Sequence, residues 1–236
     1  MNWDELSFPE LAPARAVVAE VLGRESARPY ATGTLHVSPS LADEVARNTR
    51  LDSAPAHEAG SVYAGHTFQC LDIESLPPVA RRRANRWVIV ISALYGAVYA
   101  RDRVAPYRLA MGSPLPVVSP LAAFWRAHLS PILTRAAGDG LIVDCRSTPY
   151  AAAWAPRGGM ASRVVTVRSA GSPVQTGRLR GRVARSICVG SIDPPSVPEL
   201  AEALSESLDV ELVSAGGNGR SWALEVRGAG PILDRA

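Results

Sequence analysis

The sequence predicts an α/β fold in one compact domain, residues 1–236, with a mixed sheet flanked by helices. Short apolar runs, which are typical of buried strands, alternate with longer segments of helical periodicity, and this alternation favours a mostly parallel or mixed sheet. A chain of 236 residues with 47% apolar residues can bury a sizeable core. Neither an internal repeat nor a long linker interrupts the sequence, so we expect a single domain.

Helices dominate the part of the chain before the first predicted strand. We expect helical segments at residues 10–22, 38–48, part of 62–76, and 77–86. The second segment has acidic residues near its start, and either Ser38 or Ser40 can serve as its N-cap. The fourth segment begins with two prolines, which suit the first turn of a helix because an N–H group there has no intrahelical partner.

The remaining chain alternates strands and helices. Apolar runs predict strands at residues 87–91, 141–147, 163–169, 209–214 and 221–228. Helical periodicity predicts helices at residues 119–140, with an irregularity at Pro131, 148–154, 177–187, and 195–208, with Ser196 as N-cap. The last two strands are expected to pair as a hairpin around the glycine-rich residues 215–220.

All 25 basic residues are arginine, and the chain contains no lysine. Schiff-base chemistry and a lysine general base are therefore excluded. Fixed positive charge comes from guanidinium groups, which favour planar, bidentate contacts with carboxylates and phosphates. The formal net charge is only +3, so any preference for anions has to come from a local patch.

Motifs typical of metal and cofactor sites are missing from the sequence. Cys70, Cys145 and Cys188 are widely spaced, with no CxxC pair, and the four histidines are scattered. This pattern favours reduced thiols over a disulfide framework or a zinc site. HExxH, P-loop and GxGxxG motifs do not occur, so we expect no metal and no cofactor.

The sequence also predicts where the protein is located. No apolar run approaches the roughly 20 residues that a membrane-spanning helix needs. The first residues are acidic and lack the basic-then-apolar pattern of a signal peptide. We therefore expect a cytoplasmic protein with no membrane partner.

The segment from Ala93 to Gly112 is unusual for a connection that follows a buried strand. It is rich in tyrosine and charged residues, whereas a simple turn uses glycine, asparagine or aspartate. If the strands at 87–91 and 141–147 are neighbours, their polar ends converge at one edge of the sheet, where ligands usually bind. The residues expected to meet there are Tyr95, Arg108, Asp144, Arg146, Ser147 and Tyr150.

Two interpretations of this set are open. Arginine beside tyrosine suits contact with a phosphate and stacking on a base or ring, whereas a buried Asp–Arg pair would only tie two loops together. Under the first interpretation, Asp144 is the candidate general base or carboxylate stabiliser, and Arg108 and Arg146 hold an anionic group. Three tyrosines would then stack or donate a proton, namely Tyr95, Tyr107 and Tyr150. His66 is the candidate catalytic histidine, although a core or surface histidine fits the sequence as well.

Several motifs together resemble the YaaA peroxide-stress protein family. They are "LSFPELAPAR" at the start, "YAG" at Tyr63 to Gly65, the segment from Ala93 to Gly112, "LAAFWR" from Leu121, and "IVDCRSTPYAAAW" from Ile142. Their order and spacing match from Leu6 to about Val226. The resemblance implies a bacterial cytoplasmic protein with a compact α/β fold, a helix-hairpin-helix-like element and a basic cleft, with Tyr63 a further ligand contact. Family members are associated with protection against hydrogen peroxide, lowered free iron, and binding to duplex or branched DNA.

The chain departs from the family pattern in two places. The family begins with an apolar strand and a lysine-bearing Ser-Pro segment, which have no counterpart before Met1-Asn2-Trp3. A second lysine-containing segment corresponds to residues 176–187, where Arg178, Arg180 and Gly181 are kept and the lysine is absent. Either the start codon is assigned downstream of the family's first strand, or that strand is lost. The altered elements leave room for a specialised member, for example in secondary metabolism.

Three functional hypotheses follow. The first is a DNA-binding stress protein that uses Arg178, Arg180, Arg182 and Arg185; a helix would place three of them on one side, although a solvated amphipathic helix shows the same pattern. The second is a diverged small-molecule enzyme, of a biosynthetic type, acting on a nucleoside-like or other anionic ring substrate in the same cleft. The third, an iron-linked protein, is disfavoured because no close set of His, Cys and carboxylate ligands occurs.

Overall fold

The computed structural model describes residues 1–213 and 221–229, and it shows a mixed α/β protein whose sheets are flanked by helices, as the sequence predicts. The chain divides into two compact units, each made of segments that are separate in sequence. Unit 1 comprises residues 1–63, 85–132 and 148–155, and unit 2 comprises residues 64–84, 133–147 and 156–236. Within the described residues, no helix has both the length and the apolar character needed to cross a bilayer.

The helices of the described residues include several single turns and three long helices. They are α1 (Ala12–Ser26), α2 (Ala31–Thr34), α3 (Ala42–Arg47), α4 (Ala59–Val62), α5 (His66–Leu71), α6 (Pro78–Trp87), α7 (Leu121–Ala137), α8 (Thr148–Ala151), α9 (Pro173–Gly190) and α10 (Val197–Ser205). The strands are β1 (His57–Glu58), β2 (Ile89–Ser92), β3 (Gly96–Tyr99), β4 (Arg103–Val104), β5 (Ile142–Asp144), β6 (Val164–Arg168), β7 (Leu208–Val213) and β8 (Trp222–Ala229).

The predicted helices and strands are all present, with shifted ends. Ser196 caps α10 as predicted, because its hydroxyl accepts the N–H of Glu199, and Pro131 lies inside α7. α9 begins before the predicted start, since Ser172 and Gln175 form a capping box that the sequence prediction missed. β7 and β8 pair antiparallel as expected, and the turn predicted at residues 215–220 lies outside the described residues. The helix-hairpin-helix-like element and the basic cleft stay predictions.

The segment from Ala93 to Gly112 forms the centre of unit 1. β2 and β3 pair antiparallel, with Ser92 opposite Gly96, and β4 pairs with β1. The four-stranded sheet of unit 2 instead contains β5. The condition that the strands at 87–91 and 141–147 are neighbours is therefore not met, because they lie in different sheets. The physical reason is the short connection after β2, which allows it to pair with the next strand of the chain.

Gly96 is required where the hairpin turns into β3. Its φ of +72° lies in the left-handed region, and a Cβ atom there would lie 2.5 Å from the ring of Trp125. Trp125 is fully buried, and its indole N–H donates to the carbonyl of Ala93 at 2.8 Å. The backbone at Gly96 and the ring of Trp125 thus pack without room for any side chain.

A buried guanidinium connects this hairpin to the N-terminal segment. Arg15 on α1 is 1% exposed, and its Nε donates to the carbonyl of Tyr95 at 2.9 Å. Its Nη2 donates to the carbonyls of Ser7 at 2.7 Å and Ala97 at 2.8 Å. Burial lowers the pKa of Arg15 to about 10, against the opposing effect of the Asp102 carboxylate, so the group is charged at neutral pH.

Asp102 makes the complementary set of bonds. Its carboxylate accepts the backbone N–H of Ser7 at 3.0 Å, the hydroxyl of Ser7 at 2.7 Å, and the N–H of Tyr99 at 3.1 Å. Asp102 and Arg15 therefore bind the same two parts of the chain, the N-terminal segment and the β2–β3 hairpin. Asp102, one of the charged residues in the segment from Ala93 to Gly112, therefore has a structural role.

Unit 2 is built on a four-stranded sheet with the order β5-β6-β8-β7, in which only β7 is antiparallel to its neighbour. One face of the sheet packs against α9 and α10. The core on this face contains Val165, Val167, Leu179, Val183, Leu200, Leu204, Leu224 and Val226. Because side chains alternate along a strand, Asp144, Thr166 and Glu225 lie on the opposite face.

Two glycines one helical turn apart bring α9 close to α5. A Cβ atom at Gly181 would lie 2.2 Å from the carbonyl oxygen of Thr67, and one at Gly177 would lie 3.1 Å from the Cβ of His66. The two helix backbones therefore approach at a distance that only glycine permits. This contact fixes the position of α9, which carries four of the candidate arginines.

We predict that Gly96→Ala destabilises the protein by about 2–4 kcal/mol, because a Cβ atom meets the Trp125 ring and the backbone keeps a left-handed conformation. Gly112→Ala is the matched control in the same unit, since nothing lies within 4 Å of a Cβ atom there. Urea unfolding followed by circular dichroism measures both values. Equal free energies of unfolding for the two variants would contradict the prediction.

Candidate functional site

The sequence-predicted site residues fall into two groups, one in each unit. Unit 1 contains Tyr63, Tyr95, Tyr107, Arg108 and Tyr150. Unit 2 contains His66, Asp144, Arg146, Ser147 and the four arginines of α9, namely Arg178, Arg180, Arg182 and Arg185. The geometry of each group indicates which residues are committed to internal bonds and which present their side chains to solvent.

Four tyrosines of unit 1 form a single group, which we call the phenol cluster: Tyr63, Tyr95, Tyr107 and Tyr150. The ring of Tyr107 lies edge-to-face against Tyr95 at 5.4 Å and against Tyr63 at 6.3 Å, measured between ring centroids. Tyr150 interacts electrostatically with both Tyr63 and Tyr107. Edge-to-face contacts of this kind add to the stabilisation from burial alone.

Ser92, at the end of β2, organises the hydroxyl groups of the cluster. Its Oγ accepts the backbone N–H of Tyr95 at 3.0 Å and that of Leu94 at 3.3 Å. Because both lone pairs are used, the Ser92 hydroxyl donates its proton to the Tyr107 oxygen, 2.8 Å away. Ser92 and Tyr107 are near enough to the Tyr63 hydroxyl to lower its pKa, although burial has the larger, opposite effect. Sequence reasoning did not select Ser92 as a member of this site.

The phenols of the cluster stay protonated well above neutral pH. Burial is the main reason that the pKa of each of the four hydroxyls is raised above 10. The nearby Ser92 side chain opposes this rise in the pKa of Tyr63 and Tyr107. The cluster therefore contributes neutral hydroxyl groups and no negative charge at physiological pH.

Tyr95 differs from the other members because it is fully buried. Its hydroxyl donates to the carbonyl of Ala105 at 2.9 Å, and its ring packs against Trp3 at 5.5 Å. We therefore assign Tyr95 to the core of unit 1 rather than to a surface that contacts a ligand. Tyr63, Tyr107 and Tyr150 are only partly buried, so part of each residue is accessible to solvent.

Arg108 follows Tyr107 in the chain, and a buried side chain holds its backbone. The amide of buried Asn48 donates to the carbonyl of Arg108 at 2.9 Å and accepts its N–H at 2.8 Å. The Arg108 residue is exposed, and within the described part of the chain its guanidinium makes no hydrogen bond or ion pair. Its charge lowers the pKa of Tyr150, as does a hydrogen bond with the Met111 backbone, although burial has the larger, opposite effect.

Asp144 and Arg146 of unit 2 bind each other. The guanidinium donates to the two carboxylate oxygens at 2.8 Å and 2.7 Å, and the backbone N–H of Arg146 donates to the carboxylate at 3.0 Å. The two side chains are 9% and 15% exposed, respectively. The pair joins residues two apart in one segment, so it ties no two loops together, but it reduces the lone pairs that Asp144 could offer as a general base. Ser147 follows the pair and is exposed.

His66 is an exposed residue at the start of α5. Its Nδ1 lies 3.2 Å from the side-chain oxygen of Gln69, one turn further along the same helix. A general base is usually oriented by a carboxylate and placed beside a nucleophile. Neither kind of group contacts the ring in the described residues, so the geometry gives His66 no catalytic partner.

The four arginines of α9 divide into two pairs. Arg180 donates to the carbonyl of Val167 at 3.1 Å, and Arg185 donates to the carbonyls of Leu71 and Asp72, both at 2.9 Å, at the C-terminal end of α5. Arg178 and Arg182 are exposed and make no hydrogen bond or ion pair within the described ranges. The predicted row of three cations is thus reduced to two that are available to a partner.

Unit 2 also contains a cavity of about 400 Å³ beside the start of α9, which includes none of the predicted site residues. Its lining includes Ser169, Gly171, Gln175, Glu211, Glu225 and Arg227.

Two thiols of unit 2 are protonated, because burial raises the pKa of Cys145 to about 12 and that of Cys188 to about 11. In the described ranges, no three His, Cys, Asp or Glu side chains gather as a metal site.

Comparison with known proteins identifies relatives that match most of the chain. Residues 3–209 match the family described as peroxide stress protein YaaA. A UPF0246 protein of Streptomyces coelicolor is 41% identical over 234 residues, covering 94% of this chain and 88% of the relative. A UPF0246 protein of Corynebacterium efficiens is 31% identical over 219 residues, covering 90% and 87%. One of Roseobacter denitrificans is 33% identical over 180 residues, covering 70% and 69%.

We predict that stability falls steeply above pH 10, because the cluster phenols have a raised pKa in the folded protein and an ordinary one, about 10, after unfolding. Their contribution is complete below pH 10 and is lost as the pH rises above it. Tyr107→Phe removes one such group, so the free energy of unfolding lost per pH unit is smaller by up to about 1.4 kcal/mol in this variant. Urea unfolding at several alkaline pH values measures this slope.

The same variant should be less stable at neutral pH by about 1 kcal/mol, because the Ser92 hydroxyl loses its acceptor. Tyr30→Phe is the matched control, since Tyr30 is 82% exposed and lies outside the cluster. An alkaline slope in Tyr107→Phe equal to that of the unmodified protein would contradict the prediction.

Proposed function

The chain belongs to the YaaA peroxide stress protein family, and on that premise we propose that it protects against hydrogen peroxide by binding the phosphate backbone of duplex or branched DNA. The observation that supports this most directly is the exposed pair Arg178 and Arg182 on α9. Guanidinium groups bind phosphates with two parallel hydrogen bonds, and both side chains are available for such contacts.

The spacing of the pair suits a chain of phosphates. Residues four apart lie on one face of a helix and are separated by about 6 Å along its axis. Arg180 binds a carbonyl of β6 and Arg185 binds carbonyls at the C-terminal end of α5, and these bonds hold α9 with this face outward. Anchored and exposed arginines on one helix thus have complementary roles.

Binding of this type depends on charge rather than on sequence. Contacts to phosphates position a protein on DNA but do not distinguish base pairs. The small net charge of +3 means that attraction comes from the local pair rather than from the whole molecule. We therefore expect weak preference for DNA sequence. We also expect the logarithm of the affinity to decrease linearly with the logarithm of the salt concentration.

A link to peroxide follows from the same electrostatics. Arginines that neutralise phosphates release the cations condensed on the DNA. Iron(II) is such a cation, and on DNA it gives one electron to hydrogen peroxide, which forms iron(III), a hydroxide ion and a hydroxyl radical beside the bases. A protein bound to the backbone displaces iron from the places where that reaction does damage.

The alternative of a diverged enzyme has less support in unit 2. Asp144 was the candidate general base, and its carboxylate accepts three hydrogen bonds from Arg146. His66 bonds to a glutamine within its own helix. We therefore give DNA binding precedence over catalysis.

We predict that Arg178→Ala/Arg182→Ala weakens binding to a labelled duplex and to a four-way junction, and lowers the slope of log affinity against log salt by about 2, because each phosphate contact contributes about 1. Fluorescence anisotropy between about 50 and about 200 mM salt measures both quantities. Arg47→Ala/Arg50→Ala is the control with the same change in charge, since both residues are exposed in unit 1.

Two results would contradict the proposal. One is the absence of any complex with either DNA at low salt. The other is an unchanged salt slope in the α9 variant, with circular dichroism showing that it is folded. A loss of slope in the control variant alone would place the DNA contact in unit 1.

A further inference from the structure

We infer that unit 1 carries a binding site for a planar ring compound with an anionic group, formed by Arg108 and the accessible parts of Tyr63, Tyr107 and Tyr150. This site goes beyond the proposed contact of α9 with DNA, since every residue that forms it belongs to unit 1. Three features support it: an anchored exposed cation, a rigid aromatic surface, and the neutrality of the surrounding phenols.

The cation is held in place before any ligand arrives. Asn48 is 2% exposed and binds both the N–H and the carbonyl of Arg108, and its amide also donates to the hydroxyl of Ser26 at 3.1 Å. A buried amide that bonds to both the N–H and the carbonyl of one residue holds the backbone of that residue, and so fixes the point from which its side chain extends into solvent. The side chain itself is exposed and is free of internal bonds in the described residues. Such an arrangement reduces the entropy lost when an anion binds.

The aromatic rings are fixed in a similar way. The hydroxyl of Tyr107 bonds to Ser92, whose oxygen is in turn held by two backbone N–H groups of the β2–β3 turn. The hydroxyl of Tyr150 bonds to the backbone of Met111. The hydroxyl ends of Tyr107 and Tyr150 are therefore held by hydrogen bonds, and both residues are partly exposed, as is Tyr63. Rigid tyrosine surfaces supply contact area at low entropic cost.

The electrostatics of the site favour an anion. Burial keeps the phenols of the cluster protonated, so they place no negative charge beside Arg108. Arg108 directly follows Tyr107 in the chain, and its positive charge is near enough to Tyr150 to lower the pKa of that hydroxyl. A ligand that combines a flat ring with a negative group can contact both parts of the site together.

Two classes of compound have this chemistry, namely nucleoside monophosphates and aromatic carboxylates. Adenosine monophosphate and nicotinate represent them as probes. Adenosine lacks the anionic group and inorganic phosphate lacks the ring, so each should bind more weakly than a ligand that has both. The comparison of the two anionic probes indicates whether the site prefers phosphate or carboxylate.

The test is isothermal titration calorimetry of the full chain with these four compounds. We expect at least one anionic ring probe to bind about tenfold or more tightly than adenosine and phosphate, and Arg108→Gln to weaken that binding about tenfold. Tyr150→Leu should weaken it as well, because the ring surface is lost. Arg50→Gln, which removes one exposed charge from the same unit, should leave the affinity unchanged.

Several results would overturn the inference. These are no binding of either anionic probe at millimolar concentration, equal affinity for phosphate and for both ring probes, or unchanged affinity in Arg108→Gln with an unaltered melting temperature. The outcome is separable from that of DNA binding. Arg108→Gln is expected to keep the DNA affinity and salt slope, and Arg178→Ala/Arg182→Ala is expected to keep the affinity for the ring probe.

Discussion

Unit 1 depends on one guanidinium group placed in its interior. Arg15 donates to three backbone carbonyls, one in the N-terminal segment and two in the β2–β3 hairpin. A buried charge is stable only with close polar partners, and Asp102 supplies the compensating charge while binding Ser7 and Tyr99 itself. Loss of either residue would leave the other charge buried and uncompensated. These two side chains therefore hold together parts of the chain that are far apart in sequence.

The candidate ligand site is built on this constraint. Arg15 binds the carbonyls of Tyr95 and Ala97, and the N–H groups of Leu94 and Tyr95 in the same turn bind Ser92. Ser92 then orients the hydroxyl of Tyr107, which lies between the other phenols. The order of the phenol cluster is thus a consequence of the hairpin geometry. This explains why one continuous segment contains both structural and site residues.

In unit 2, several arginines make internal hydrogen bonds and are therefore not available as positive charge for a partner. Arg83, Arg180 and Arg185 all donate to backbone carbonyls, and Arg146 binds a carboxylate. In a chain without lysine, arginine performs tasks of helix and loop anchoring as well as those of recognition. A count of arginines therefore overestimates the positive charge that a partner meets, and the α9 face that we propose for DNA contains only two of the four arginines predicted there.

The sequence by itself determined the local elements, because helix caps, prolines and apolar periodicity act over a few residues. It indicated the helices, the strands, the N-cap at Ser196 and the restriction to guanidinium chemistry. The tertiary structure alone decided that β2 and β5 lie in different sheets, that Tyr95 is in the core, and that Asp144 is bound by Arg146. It also revealed Ser92, Asn48 and Arg15, whose bonds join residues as many as 82 positions apart. Such bonds depend on how distant segments pack, and local patterns carry no information about that packing.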